Sequence, residues 1–348
     1  MKSEVLELLK PVKKRWLKPL QKYRINIEYT TGVEPTPRTL EVSGAFGLGV
    51  DRKRKFTIYK DFQVDIGPQD IVYITGDSGS GKSVLLRWLE ETLAPETVNI
   101  DDIQPDPDQP LIEQIGETFQ EGLRLLCKAG LNDAFLFVRR FKELSDGQKY
   151  RFKVAKMMES EKQCWVFDEF CSVLDRDTAK IVAYNVQKLA RQEDRAVIVA
   201  TTHTDLREDL GASVYIRKRY GDEVKVDYWE NKAVGECSLM RDIELEEGSY
   251  DDWKQLAGFH YRSHNLAFPR QIFILKRADE LCGVIGYSYP ASTCFGRSKV
   301  FQPSSMQELN DKLSVIRRIV VHPKYRTIGL GRRLVEETLD KVETRYVE

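Results

Sequence analysis

Apolar residues fall in short unbroken runs through the first two thirds of this chain. Ile71-Val72-Tyr73-Ile74-Thr75, Cys164-Trp165-Val166-Phe167 and Ala196-Val197-Ile198-Val199-Ala200 carry no charge. Uncharged strands alternating with helices predict a parallel sheet covered on both faces, hence an α/β domain. Upstream, residues from about 25 to 75 read as strands, and residues 1–24 as a basic helical segment. A stretch holding Pro105, Pro107 and Pro110 precedes helices that run to about residue 143. The pattern changes near residues 220–237, which are polar. Met240–Glu246 then reads as a strand, and Ser249 with Asp252 three residues on marks a helix start. Gln271–Lys276 and Cys282–Tyr289 read as a hairpin across Ala278-Asp279-Glu280. A strand at Ile316–Val321 leads to a glycine-containing turn and a helix from about Gly331 to Val342. The divisions expected are 1–24, 25–235 and 236–348, the last a smaller α+β domain.

Composition narrows the class. No apolar run approaches the roughly 18–20 residues that cross a bilayer, so a membrane span is not expected. The first residues have no signal core. The six cysteines form no C-x-x-C pair and sit partly inside apolar runs. They read as reduced packing residues of a cytoplasmic protein. Four histidines without a Cys/His cluster give no reason to expect a structural metal. A formal net charge of zero removes the simplest argument for nucleic-acid binding. Short basic runs at Lys13–Arg15, Arg52–Lys55 and Arg139–Lys142 read as solvated surface.

Gly76-Asp77-Ser78-Gly79-Ser80-Gly81-Lys82-Ser83 fits G-x-x-x-x-G-K-S/T between a strand and a helix. Glycines let backbone amides turn inward around a phosphate, and the helix N-terminus adds its dipole. Lys82 is expected at the β- and γ-phosphates of a nucleotide and Ser83 on Mg²⁺. The strand Cys164–Phe167 ends in Asp168-Glu169. The first acid can hold the metal shell, and the second can activate water.

Leu144-Ser145-Asp146-Gly147-Gln148 adds a third element. In this order the motifs resemble the ABC ATPase family, whose signature loop reads LSGGQ; here Asp146 replaces the first glycine of the pair. Ser172-Val173-Leu174-Asp175 resembles the family's D-loop, and Thr202-His203-Thr204 its switch-histidine loop. The resemblance covers roughly residues 40–225 and implies ATP sandwiched between two copies in a head-to-tail dimer. It then implies that Ser145, Gly147 and Gln148 serve the nucleotide held by the partner's loop. Glu169 would be the catalytic base, His203 a γ-phosphate contact, and Asp175 a link between sites. Phe46 is the candidate adenine-stacking aromatic, with a buried core role as the alternative. The family's Q-loop glutamine is either Gln104 or Gln109. The short insert between Lys82 and Ser145 favours a mechanochemical or regulatory ATPase over a transporter.

Ile319 to Gly331 carries a second signature, a strand followed by Arg326-Thr327-Ile328-Gly329-Leu330-Gly331. Strand, R-x-x-G-x-G and helix resemble the acyl-CoA motif of GNAT-type N-acyltransferases. Gly329 and Gly331 leave the backbone open at a helix N-terminus, where amides can receive a pyrophosphate. Arg326 is expected to add positive charge, and the edge at Ile319–Val321 to bond the pantetheine arm of acetyl-CoA. His260, Tyr261 and His264 are candidate bases or substrate contacts, packing and surface roles being the alternative. The whole arrangement resembles ABC-type ATPases fused to acetyltransferase-type domains. It implies an ATP-gated acyltransferase acting on a macromolecule, with nucleic acid as the leading class. The chain stops at Arg345-Tyr346-Val347-Glu348, where such domains continue, so a shortened domain is expected. That supports two alternatives, a non-catalytic binding module beside an ATPase, or an ATP-regulated protein N-acetyltransferase.

Overall fold

The computed structural model describes residues 6–7, 21–31, 35–47, 54–94, 96–260 and 265–348. The chain forms two compact units. Unit 1 takes residues 1–105, 156–174 and 186–234, and unit 2 takes 106–155, 175–185 and 235–348.

Among the described residues, unit 1 holds two sheets. Strands β1 (Leu6–Glu7), β2 (Gln21–Thr31) and β3 (Arg54–Ile66) form an antiparallel sheet. Tyr23, Ile25 and Ile27 are buried while Arg24 and Asn26 are not, the alternation of a strand with one covered face. The second sheet contains β4 (Ile71–Gly76), β5 (Thr97–Asn99), β6 (Cys164–Phe167), β7 (Ala196–Thr201), β8 (Val214–Lys218) and β9 (Val224–Tyr228). Its order is β5-β6-β7-β4-β8-β9, parallel except for β9. Every residue of β6 and β7 is buried, as the uncharged runs predict.

Between β2 and β3 stands a helix that the sequence reading missed, α1 (Pro37–Phe46). Thr36 caps it with a reciprocal bond to Thr39, and Pro37 takes the first turn, where its missing N–H costs nothing. The expected basic N-terminal helix falls mostly outside the described residues. Where it does not, at Leu6–Glu7 and from Gln21 onward, the chain is strand. Helix α2 (Lys82–Leu93) turns Leu85, Leu86, Trp88, Leu89 and Leu93 inward, a stripe at three- and four-residue spacing. Trp88 meets Tyr23 edge-on at 5.7 Å between ring centroids, which joins α2 to the antiparallel sheet. At roughly 1.5–3 kcal/mol per buried side chain, this stripe anchors the start of α2, and with it the loop at 76–83.

Unit 2 begins with helices α3 (Phe119–Lys128) and α4 (Ala134–Phe137), and includes residues 146–155 of α5 (Asp146–Glu159). It also takes residues 176–185 of α6 (Arg176–Gln192). A short helix α7 (Arg207–Leu210) belongs to unit 1. The rest of unit 2 is a five-stranded sheet in the order β10-β11-β12-β13-β14. These are β10 (Glu244–Glu247), β11 (Pro269–Arg277), β12 (Glu280–Ser288), β13 (Leu313–Val321) and β14 (Tyr346–Val347). The first four pair antiparallel, and β14 joins β13 in parallel at Leu313 and Ser314. That pairing lies at the opposite end of β13 from Ile319–Val321.

Helices α8 (Tyr250–Ala257), α9 (Met306–Lys312) and α10 (Leu330–Thr338) complete the unit. Ser249 and Asp252 cap α8 reciprocally, as expected. The hairpin turns on Ala278-Asp279, with Arg277 opposite Glu280. Two expectations need correction. Ser238–Asp242 is a 3-10 turn with Leu239 and Met240 buried, so the strand there starts only at Glu244. Helix α10 ends at Thr338 rather than near Val342, its hydroxyl turned back to Leu334 O and set against the Tyr287 hydroxyl.

Candidate functional site

In unit 1 the loop 76–83 leaves the end of β4 and enters α2. Gly76 has φ +140°, and a Cβ there would lie 1.8 Å from Lys218 O on β8. Only glycine allows the loop to leave the sheet this close to its neighbour. Lys82 is buried along its stem, and Nζ donates to Gly76 O at 2.9 Å and Asp77 O at 2.7 Å. Burial lowers its pKa, opposed by the charges of Asp168, Asp77 and Glu169. Ser83 Oγ donates to Asp168 Oδ1 at 3.1 Å, so the two residues expected at a metal already touch. Ser80 Oγ is buried without a hydrogen-bond partner, and a Cβ on Gly79 would meet nothing within 4 Å. An unmet donor and open space on this loop fit a phosphate chain, and the Ser83–Asp168 pair fits Mg²⁺.

Glu169 follows Asp168 with φ +49°, a left-handed backbone unusual for a residue with a side chain. Its amide donates to Asp168 Oδ1 at 3.0 Å and its side chain is exposed. Such strain persists where surrounding structure fixes it, and it recurs at reactive sites. The loop of His203 is held by its carbonyl, which accepts from Tyr73 Oη at 2.8 Å and Thr75 Oγ1 at 3.0 Å. Phe46 ends α1 and is 75% exposed, which excludes the buried core role.

Tyr220, which no sequence signal singled out, donates from Oη to Ser78 O at 2.6 Å. Its ring is exposed. Lys218 beside it is fully buried, and its ammonium bonds the carbonyls of Arg219 and Gly221 on either side of Tyr220. A buried ammonium is costly unless fully bonded, so this turn is fixed rather than loose. Spacing in the sequence could not have revealed it, because Tyr220 and Ser78 are 142 residues apart.

In unit 2, Ser145 is exposed at the N-terminus of α5. Its amide donates to Gln148 Oε1 at 3.0 Å, and the Gln148 amide donates to Ser145 Oγ at 3.4 Å. The Gln148 side chain is therefore spent on capping its own helix. Asp146, where the family pattern has glycine, places an acid in the first turn, favoured by the helix dipole. Gly147 O accepts from Arg151 Nε at 3.2 Å. Asp175 caps α6 by accepting from Thr178 N at 3.0 Å and Thr178 Oγ1 at 2.6 Å. Burial works against its charge, but these bonds hold its pKa below the usual range.

The second signature forms a pocket of about 300 Å³ lined by Val321, Tyr325, Arg326, Thr327, Gly329 and Gly331 among others. Gly329 has φ +106° and open space around its missing Cβ. The pocket stands at the N-terminus of α10, which fits a pyrophosphate. The Arg326 guanidinium donates to Asn132 O at 2.5 Å, Val321 O at 3.0 Å and Phe259 O at 3.4 Å. These carbonyls lie on three segments, so the group braces the fold around the loop. His260 is half-buried after α8; Tyr261 and His264 lie outside the described residues.

Residues 237–347 match the model of the acetyltransferase (GNAT) family. The alpha-hemolysin translocation ATP-binding protein HlyB of Escherichia coli O157:H7 is 28% identical over 178 residues. That match covers 41% of this chain and 25% of HlyB. The leukotoxin translocation ATP-binding protein LktB of Mannheimia haemolytica is 27% identical over 180 residues, with the same coverage. The chain thus spans about a quarter of the length of these relatives. A dimeric structure of a bacterial ABC transporter cassette aligns over 51% of this chain and 93% of its own, at 16% identity and TM-score 0.42. Among the described residues, no helix is long and apolar enough to cross a membrane.

Proposed function

We propose, from a chain that joins a stretch related to ABC-type ATP-binding proteins to a GNAT-type stretch at 237–347, that this protein is an ATPase coupled to an acyl-CoA-dependent acyltransferase. The observation that carries the first half is the Ser83–Asp168 contact at 3.1 Å, beside Glu169 and below the Lys82 loop. Phosphate binding, metal holding and water activation then have a residue each, within one unit.

The residues divide the work as follows. Loop amides from Gly76 to Ser83 and the Lys82 ammonium neutralise phosphate charge. Ser83 and Asp168 would hold Mg²⁺, which would supply further positive charge against the phosphates. Glu169 takes a proton from the attacking water, and His203 steadies the γ-phosphate. Ser145 and Gly147 serve a second copy's nucleotide, so turnover requires a head-to-tail dimer. Asp175 links the two sites.

In unit 2 the pocket at 321–332 takes the pyrophosphate of acetyl-CoA on the amides of the Thr327–Gly331 turn. The acceptor is a macromolecule, with nucleic acid as the leading class, and the compartment is the cytoplasm. Phosphate release and size-exclusion chromatography test the ATPase half. Lys82→Ala should lose ATP binding. Glu169→Gln should bind ATP, slow release by at least about 100-fold, and accumulate as a dimer. Normal turnover by Glu169→Gln would sink the assignment of the base.

A further inference from the structure

The pocket is lined within the GNAT-type stretch, but its loop is held by residues outside that stretch. Thr327 sits inside its loop at φ +74°, a left-handed conformation that a β-branched residue adopts only under constraint. Two constraints are visible, and both come from segments well outside residues 237–347. Asn185, almost fully buried on α6, donates from Nδ2 to Thr327 Oγ1 at 2.8 Å. Arg326 donates to Asn132 O, and Asn132 Nδ2 donates to Pro323 O at 3.1 Å, closing a reciprocal clasp.

Both segments lead directly to ATP-site motifs. Asn185 lies on the helix that Asp175 caps. On the same helix, Asp177 pairs with Arg277 at 2.9 Å and Lys324 at 2.8 Å, gripping the acyl-CoA side at two further points. Asn132 follows Gly130, whose carbonyl accepts from Arg151 Nη1 at 2.6 Å. The same Arg151 donates to Gly147 O in the signature loop. Hydrogen bonds from Arg151 join Gly147 to Gly130, the chain then runs two residues to the Asn132–Arg326 clasp, and α6 leads from Asp175 to Asn185 and its bond to Thr327.

We propose that Asn185 and the Asn132–Arg326 clasp are positioning elements that set the shape of the acyl-CoA loop, so that acyl-CoA affinity responds to the nucleotide bound at the ATP site. This rests on the reading of the pocket as an acyl-CoA site. Asn185 touches no acyl-CoA atom; it acts through Thr327. Because linkage is reciprocal, acetyl-CoA must shift ATP affinity by the same factor.

The test uses the full chain and calorimetric titration of acetyl-CoA, with and without ATP, in a Glu169→Gln background that holds ATP without turnover. Asn185→Ala and Thr327→Val should each weaken acetyl-CoA about tenfold, as expected for one lost orienting bond at 1.4 kcal/mol per tenfold. The double variant should lose about tenfold as well, not a hundredfold, because Asn185→Ala removes a bond that Thr327→Val already removes, together with the hydroxyl's donation to Arg326 O. ATP affinity measured alone should not change in either, and the ATP-dependent shift in acetyl-CoA affinity should vanish in both. Thermal melting checks folding, and Thr327→Val, at a half-buried position, supplies the reading if Asn185→Ala does not fold. Unchanged acetyl-CoA affinity in Thr327→Val, or fully multiplicative losses in the double variant, overturns the proposal. No acetyl-CoA binding by the parent chain overturns the acyl-CoA reading itself, and the proposal with it.

Discussion

Two glycines of one loop should fail in opposite ways. Gly76 sits against β8, where an added Cβ would lie 1.8 Å from Lys218 O and 2.8 Å from Lys218 C. A carbon and a carbonyl oxygen settle no closer than roughly 3.3 Å, so β4 and β8 would have to part by more than about 1 Å. Lys218 cannot yield easily, because its buried ammonium is bonded to two carbonyls of the next turn. Strained backbone at about 1–3 kcal/mol and overpacking at about 1–3 kcal/mol give Gly76→Ala a cost near 4 kcal/mol. For a unit of this size that lowers the melting temperature by on the order of 10 °C. Gly79 has φ +74° but open space, so Gly79→Ala costs only about 1 kcal/mol of backbone strain. Its methyl group, however, enters space assigned to the phosphates and should weaken ATP at least about tenfold. Thermal unfolding followed by circular dichroism, with titration of a fluorescent ATP analogue, separates the two. Equal melting losses for the two variants, or unchanged affinity in Gly79→Ala, would refute the reasoning.

Other outcomes follow from single contacts. Tyr220→Phe removes the hydroxyl from Ser78 O while keeping the ring. The KM for ATP should rise about threefold with kcat unchanged, in line with one exposed hydrogen bond, and an unchanged KM would show the contact to be idle. His322 Nδ1 accepts from Lys324 N at 3.3 Å and caps the turn before the Arg326–Gly331 loop. Burial lowers its pKa, opposed by Glu280 and assisted by Lys324 and Arg326. A folded pKa below the unfolded value near 6.5 means the contribution is present above that pH and lost as pH falls through the folded value. Melting between pH 7 and 5 should therefore show a loss in the parent that is smaller in His322→Asn, and identical profiles would exclude the cap.

The chemistry was easier to read than its surroundings. Gly76 to Ser83, Asp168-Glu169 and Gly329 with Gly331 keep fixed spacings because phosphate geometry demands them, and the folded chain forms loops where those spacings fall. The strands β4, β6 and β7 were legible because sheets covered on both faces exclude charge. Helix α1 was not, because it buries no residue and so shows no apolar stripe; only the Thr36-Pro37 start signal was available. Arg326 was expected to face a pyrophosphate, and the motif gives no hint that Asn132, 194 residues earlier, takes part of its guanidinium. Tyr220 and Asn185 are likewise set by contacts across long separations in sequence, which local pattern does not encode.

Unit 2 is drawn from three separate stretches of chain, and this bears on its birth at the ribosome. Residues 106–155 emerge early, yet the Asn132–Pro323 bond must wait for a residue 191 positions later. At roughly 5–20 residues per second, that is an interval of about 10–40 s. Throughout it, the surface that Asn132 later presents to Pro323 and Arg326 stands unmatched in the nascent chain. Completion of this unit is thus tied to synthesis through Thr327, and premature termination before that residue leaves the early helices without their partner.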